Sequence, residues 1–154
     1  LKSVYWSGLS NDLAISSDGG IVIPALEGRW NSVTTARAHA DSLTTHSPAE
    51  HLLRLMAELR GSQRRAWFIE SIAISRDGTL LHAWESEGLY GLISESYVPE
   101  STVEDEFWLT GLWETAPGGK RLWQLSAAEM LELGDPWKIL REPIQSYLSQ
   151  LLSS

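Results

Sequence analysis

Arg65-Ala66-Trp67-Phe68, Ile72-Ala73-Ile74-Ser75, Asp77-Gly78, Leu80-Leu81 and Glu85-Ser86-Glu87-Gly88 succeed one another in one stretch of the chain. Two apolar runs flank an Asp-Gly pair. This combination predicts a β-hairpin, because Asp and Gly tolerate the positive φ angles that a tight two-residue turn requires. The strands are placed at Ala66 to Ser75 and Leu80 to Glu85, with the turn at Arg76-Asp77-Gly78-Thr79.

Working outward, Ser47-Pro48-Ala49-Glu50 reads as a helix start. Ser47 can cap free backbone N–H groups, Pro48 suits the first helical position and Glu50 can complete a capping box. Leu52, Leu53, Leu55, Met56 and Leu59 supply an apolar face that ends near Gly61. Further upstream, Leu13-Ala14-Ile15 reads as the end of a strand. Ser16-Ser17-Asp18-Gly19-Gly20 reads as a polar loop, and Ile21-Val22-Ile23 as a second apolar run closed by Pro24. Glu27 to Ser47 carries loop chemistry.

Downstream of the hairpin, Leu89 to Ile93 predicts a further strand, Ser94 to Glu106 an acidic loop and Phe107 to Trp113 another strand. Pro117-Gly118-Gly119-Lys120 predicts a turn. Ser126-Ala127-Ala128-Glu129 is a second capping box, and Asp135-Pro136 opens a last helix in which Pro143 is expected to kink or split the run. Helices alternate with hairpin-connected strands. That pattern predicts the α/β class, with a mixed central β-sheet flanked by helices in a single domain over residues 1–154.

Composition bounds the function. The 154 residues are 43% hydrophobic, enough for one core. Twelve Lys and Arg against 20 Asp and Glu leave a net charge of -8, a poor match to a nucleic-acid backbone but compatible with a small phosphorylated ligand. The chain has no cysteine, which removes disulfides, thiolate catalysis and Cys-ligated zinc. No apolar run approaches the ~20 residues of a membrane span, and no leader pattern opens the chain. A soluble, cytoplasmic protein with no nucleic-acid or membrane partner is the expectation. Eight tryptophans are read as core and interface fillers.

Asp18 is the leading candidate for chemistry. A carboxylate at a strand end beside two glycines can hold Mg²⁺ or activate a water, and Gly19 and Gly20 let a ligand approach the backbone. An Asp-Gly turn joining two strands accounts for the same residues. Gly118-Gly119-Lys120 reads as a hairpin turn more readily than as a phosphate loop, since Arg121 follows where Ser or Thr should stand. His39, His46, His51 and His82 show no metal spacing, and Glu100, Glu104, Asp105 and Glu106 read as a solvated loop. Arg37, Arg64 and Arg65 can meet phosphates or make salt bridges.

The order of segments resembles the inosine/xanthosine triphosphate pyrophosphatase family. Its Asp-Ser-Gly-Leu element corresponds to Ser17-Asp18-Gly19-Gly20-Ile21, and its Ser-Ala-Arg element to Thr35-Ala36-Arg37. Its Leu-rich helix corresponds to Leu52 to Leu59, its Arg-Ala-Arg-Phe strand to Arg65-Ala66-Trp67-Phe68 and its Glu-Gly to Glu87-Gly88. Its Gly-Lys-Thr-Phe-Ala-Glu-Leu-Ser run corresponds to Gly119 to Ser126.

The resemblance implies an inosine triphosphate pyrophosphatase-like fold, a homodimer, Mg²⁺, and hydrolysis of ITP, dITP or XTP to the monophosphate and pyrophosphate. It makes Asp18 the base or metal ligand and Gly19, Gly20, Arg37 and Lys120 substrate contacts. The chain departs from the family at Ser17, at Phe107 to Gly111 and at Gly134-Asp135-Pro136, where acidic or base-reading residues stand in relatives. The family's N-terminal strand, with its Asn, Lys and Glu, also has no counterpart. A non-catalytic relative that binds a nucleotide or a protein is the alternative reading.

Overall fold

Asp77 and Gly78 both take positive φ, 50° and 75°, as a type I′ turn demands. They join β2 (Arg65–Arg76) to β3 (Thr79–Ile93), so the expected hairpin is present and the predicted strand at Leu89 to Ile93 is its continuation. The computed structural model describes residues 2–27, 29–30, 47–98 and 108–153. His39, His46, Arg37 and the acidic residues Glu100, Glu104, Asp105 and Glu106 lie outside them.

β1 (Leu13–Val22) pairs with the other side of β2, placing Asp18 opposite Ser71 and Gly19 opposite Glu70. The two-residue β4 (Trp113–Glu114) pairs with the end of β3, giving the order β1-β2-β3-β4. Every pairing among the described residues is antiparallel. The loop expected at Ser16 to Gly20 is therefore replaced by continuous strand. Polar and glycine-rich residues have low strand propensity, but β2 offers them an unbroken ladder of partners, and tertiary pairing overrides propensity.

Four helices flank the sheet. α1 (Lys2–Ser10) covers one face of the half nearest the Asp77-Gly78 turn. It buries Ser3 and Ser7 instead of apolar residues. Ser3 Oγ lies 2.8 Å from Ser75 Oγ, and the Gly78 N–H donates to Ser7 Oγ at 3.1 Å. No apolar periodicity betrays this helix, so sequence reading misses it.

α4 (Pro136–Ser153) covers the opposite face, where Tyr147 packs against the rings of His82 and Trp84. It runs through Pro143 as one helix of 18 residues, not the split run expected. Its start is as predicted, with Asp135 Oδ1 accepting from the Trp137 N–H at 3.0 Å.

The other half of the sheet carries the core. Ile21, Phe68 and Ile93 meet Leu52 and Met56 of the α2 segment, together with Leu109, Leu112 and Trp113. α2 (Pro48–Leu55) starts with both hydrogen bonds of the Ser47–Glu50 capping box, and α3 (Ala127–Glu132) with those of Ser126–Glu129. The strand expected at Phe107 to Trp113 is instead a 3-10 helix over Trp108–Gly111 followed by β4. A short buried apolar run does not distinguish the two by periodicity.

Arg64 ties these parts together. Its Nε donates to the Ile93 carbonyl, its Nη1 to the Met56 and Leu59 carbonyls, and its Nη2 to the Ser94 carbonyl. Burial lowers its pKa, and with its donors spent on backbone it serves structure and not phosphate.

β3 passes very close to the α3–α4 turn. A Cβ at Gly88 would fall 1.7 Å from the Gly134 carbonyl oxygen, and the next residue, Leu89, takes φ 50° while its N–H donates to the Leu133 carbonyl at 3.1 Å. Gly88→Ala should therefore cost about 2–3 kcal/mol, the penalty of overpacking against backbone. Urea denaturation measures it; an unchanged midpoint would show that the strand and turn separate freely.

Candidate active site

Side chains alternate across a strand, and directly opposed residues share a face. Asp18 therefore projects with Ser71 on the α1 side of the sheet, while Gly19 and Glu70 face the α4 side. Asp18 Oδ2 lies 3.1 Å from Lys2 Nζ, and both side chains remain about half exposed, 49% and 45%. Such an exposed pair contributes at most about 1 kcal/mol to stability, so its interest is positional. Lys2 Nζ also donates to the Ser17 carbonyl at 3.4 Å.

A groove of about 320 Å³ opens beside this pair, lined by Lys2, Ser16, Asp18, Ser71, Ala73 and Ala83. Ser71 Oγ donates to Glu85 Oε2 at 2.9 Å. The groove thus offers an ammonium from α1, a carboxylate from β1 and hydroxyls from β1 and β2. That set can hold a phosphorylated ligand and a water near one carboxylate.

Among the described residues no group of three or more His, Asp or Glu could hold a metal ion. Mg²⁺ commonly takes only one or two protein carboxylates and fills its shell with phosphate oxygens and water, so Asp18 fits as a single protein ligand in such a site.

Behind Asp18, the Glu70 carboxylate presses on Gly19, where a Cβ would meet it at 2.1 Å. Burial raises the pKa of Glu70, a hydrogen bond from Trp137 lowers it, and the negative charges of Asp18 and Asp135 raise it. A larger residue at Gly19 would make the flexible end of the Glu70 side chain swing aside. Gly20 is buried in β1 opposite Ile69, and both glycines lie in continuous strand.

Lys120 is not brought to Asp18. It follows β4, three strand spacings or ~14 Å from β1, and its Nζ is held by Glu129 Oε1 at the start of α3. The Pro117 to Lys120 segment is the turn expected: the Gly119 N–H donates to the Ala116 carbonyl at 2.8 Å and the Thr115 N–H to the Lys120 carbonyl at 3.0 Å. Lys2, Ser71, Glu85 and Glu70 were missed from sequence. Ser71 and Glu85 sit directly opposite in the hairpin register, a signal that was available; Lys2 carried none.

Two curated dITP/XTP pyrophosphatases of Legionella pneumophila, strains Lens and Paris, are 34% identical to the chain over 74 residues, which is 48% of this chain. The match spans only 38% of the length of those relatives. No protein-family model matches the chain.

Three solved structures share its architecture. A dITP/XTP pyrophosphatase from Mycobacterium abscessus superposes with TM-score 0.64 at 17% identity, over 99% of this chain and 73% of that one. The Ham1 proteins of Staphylococcus aureus and Coxiella burnetii each give 0.71, at 21% and 17% identity, over 97% of this chain and 73% of theirs. The chain therefore has the Ham1 fold, the fold also of dITP/XTP pyrophosphatase, and the likeness read from its segment order is borne out.

The Glu129 pair yields a pH prediction. The Lys120 hydrogen bond first, then those from Ser126, hold the Glu129 carboxyl down at about 2 against an ordinary 4.5. A carboxyl whose folded pKa is depressed contributes stability above its unfolded pKa and loses it as pH falls toward the folded one. Wild type should be more stable than Glu129→Gln at pH 7, with the difference shrinking from about pH 4.5 and vanishing near pH 2. Thermal melts across that range measure it; a pH-independent difference would remove the ion pair as its cause.

Proposed function

We propose that this chain acts as a nucleoside triphosphate pyrophosphohydrolase of the dITP/XTP type, hydrolysing ITP, dITP or XTP to the monophosphate and pyrophosphate. The observation that carries the reading is the 34% identity to dITP/XTP pyrophosphatases over 74 residues, together with a shared fold. In this reading the 154 residues form one domain, and Asp18 is the catalytic carboxylate. The requirement for Mg²⁺, the homodimer and the substrate contacts of Gly19, Gly20, Arg37 and Lys120 come from the family resemblance, and a cytoplasmic location is part of the same proposal. No helix among the described residues is long and apolar enough to cross a membrane.

The geometry suits the reaction in the following way. Lys2 stands at the mouth of the Asp18 groove as a cation for phosphate oxygens and holds the carboxylate in place. Asp18 accepts a proton from a water as its oxygen bonds to phosphorus; the bridging P–O bond between the α- and β-phosphates breaks, and pyrophosphate leaves. Ser71 on the neighbouring strand, whose proton goes to Glu85, accepts a hydrogen bond from the water. A bound Mg²⁺, held by Asp18 with phosphate oxygens, would neutralise charge on the triphosphate.

The second reading, a non-catalytic binding relative, is favoured by one observation: the Lys120 ammonium is already engaged by Glu129. Pyrophosphate release from ITP, dITP and XTP, with and without Mg²⁺, separates the two. Asp18→Asn should lower turnover at least about 100-fold, the lower range for loss of a general base. Turnover retained in that variant removes Asp18 from the mechanism, and no turnover on any nucleotide with saturable binding selects the second reading.

A further inference from the structure

Along the same face of the sheet, four residues up β2 from Ser71 and so ~13 Å from the Asp18 groove, a second hollow of about 550 Å³ is walled by Trp67 and Tyr90. Their rings lie 5.8 Å apart at 33°, and Tyr90 is 56% exposed, so an aromatic surface faces solvent. Arg65 stands at the same hollow. Its guanidinium makes no ion pair or hydrogen bond among the described residues.

Ser62 and Thr115 add hydroxyls to the lining, and none of its residues is a carboxylate, in a chain of net charge -8. The indole N–H of Trp67, like those of Trp113 and Trp123, is buried without an acceptor among the described residues. Glu87 Oε2 accepts from the Tyr90 hydroxyl at 3.3 Å and so holds the ring at its outer edge.

We propose that the Trp67–Tyr90 hollow is a binding site for a planar aromatic ring that carries an anionic group. The ring stacks on the exposed aromatic wall, and the anion pairs with Arg65. Three features require this combination. Aromatic faces attract flat π-systems in any orientation of their edges. A guanidinium with no partner among the described residues, in a lining without carboxylates, selects an oxyanion, a carboxylate or a phosphate. The volume lies within the range of pockets that enclose small organic ligands. The site is separate from Asp18 and does not depend on the proposed hydrolysis.

The test is a titration followed by the Trp67 indole N–H signal in ¹H–¹⁵N spectra. The probes are inosine 5′-monophosphate and benzoate, which share the ring and anion, then inosine and inorganic phosphate, which each have one. Saturable binding of a ring-bearing anion is expected, with inosine and phosphate at least tenfold weaker, and the tighter of the first two assigns a nucleotide or an aromatic carboxylate as the source. Tyr90→Ala and Arg65→Gln, both at exposed positions, should each weaken that binding tenfold or more, while Asp18→Asn should leave it intact.

Binding unaltered by both Tyr90→Ala and Arg65→Gln overturns the proposal. So does absence of saturation below about 10 mM, which is weaker than any specific site of this size should be. Loss of self-association in Tyr90→Ala without a change in ligand binding would make the hollow an interface between copies, and the proposal would fall.

Discussion

The left-handed pair Asp77-Gly78 starts the ribbon on which the rest of the structure depends. It folds 12 residues of β2 back against 15 of β3 and sets the first pairs, Arg76 with Thr79 and Ser75 with Leu80, while irregularities at Ile74/Ser75 and Ala66/Phe68 reset the register of the rest. A shift of one residue would send every side chain to the opposite face. With the register set, Ile72, Ile74, His82 and Trp84 face α4, while Ala73 and Ser71 face α1 with β1's Ser16 and Asp18. A ribbon of this length has two faces to cover, and near the turn it covers them with a helix on each side. Beyond the bulge at Ala66/Phe68 the same strands enter a conventional core under Phe68, Ile93 and Trp113.

The same alternation separates chemistry from support in β1. Asp18 faces the groove shared with Lys2, while its neighbour Gly19 faces the other way and lies under the Glu70 carboxylate. Glycine leaves room for the Glu70 carboxylate from β2, and Asp18 is half exposed on a strand that, among the described residues, is paired on one side. The helix that meets this face does so through serines and a glycine, with a Cβ at Gly8 falling 3.3 Å from Gly78 Cα. Close approach without bulky side chains keeps Lys2 near Asp18. It also leaves Tyr5, Trp6 and Leu9 of α1 facing outward.

Local signals were legible wherever the chemistry was local. The Asp-Gly turn, the two Ser-x-x-Glu capping boxes, the Asp135-Pro136 helix start and the Gly118-Gly119 turn each involve residues within four positions of one another, and each is found as read. Failures came where a distant partner decided. Ser16 to Gly20 became strand because β2, from Ala73 back to Ile69, supplied hydrogen-bond partners distant in sequence. α1 escaped notice because what it buries is polar, and α4 continues past Pro143 while packed on β3.

For the candidate site the division is the same. Sequence alone determined that Asp18 lies beside two glycines, that the chain is acidic and free of cysteine, and that its segments follow the order of a pyrophosphatase family. These follow from residue type and spacing. Only the tertiary structure decided that Lys2 meets Asp18, that Lys120 is spent on Glu129 and that Arg64 serves carbonyls instead of phosphate. Each of those outcomes depends on which side chains the sheet register and helix packing bring within hydrogen-bond distance, a quantity that spacing along the chain does not contain.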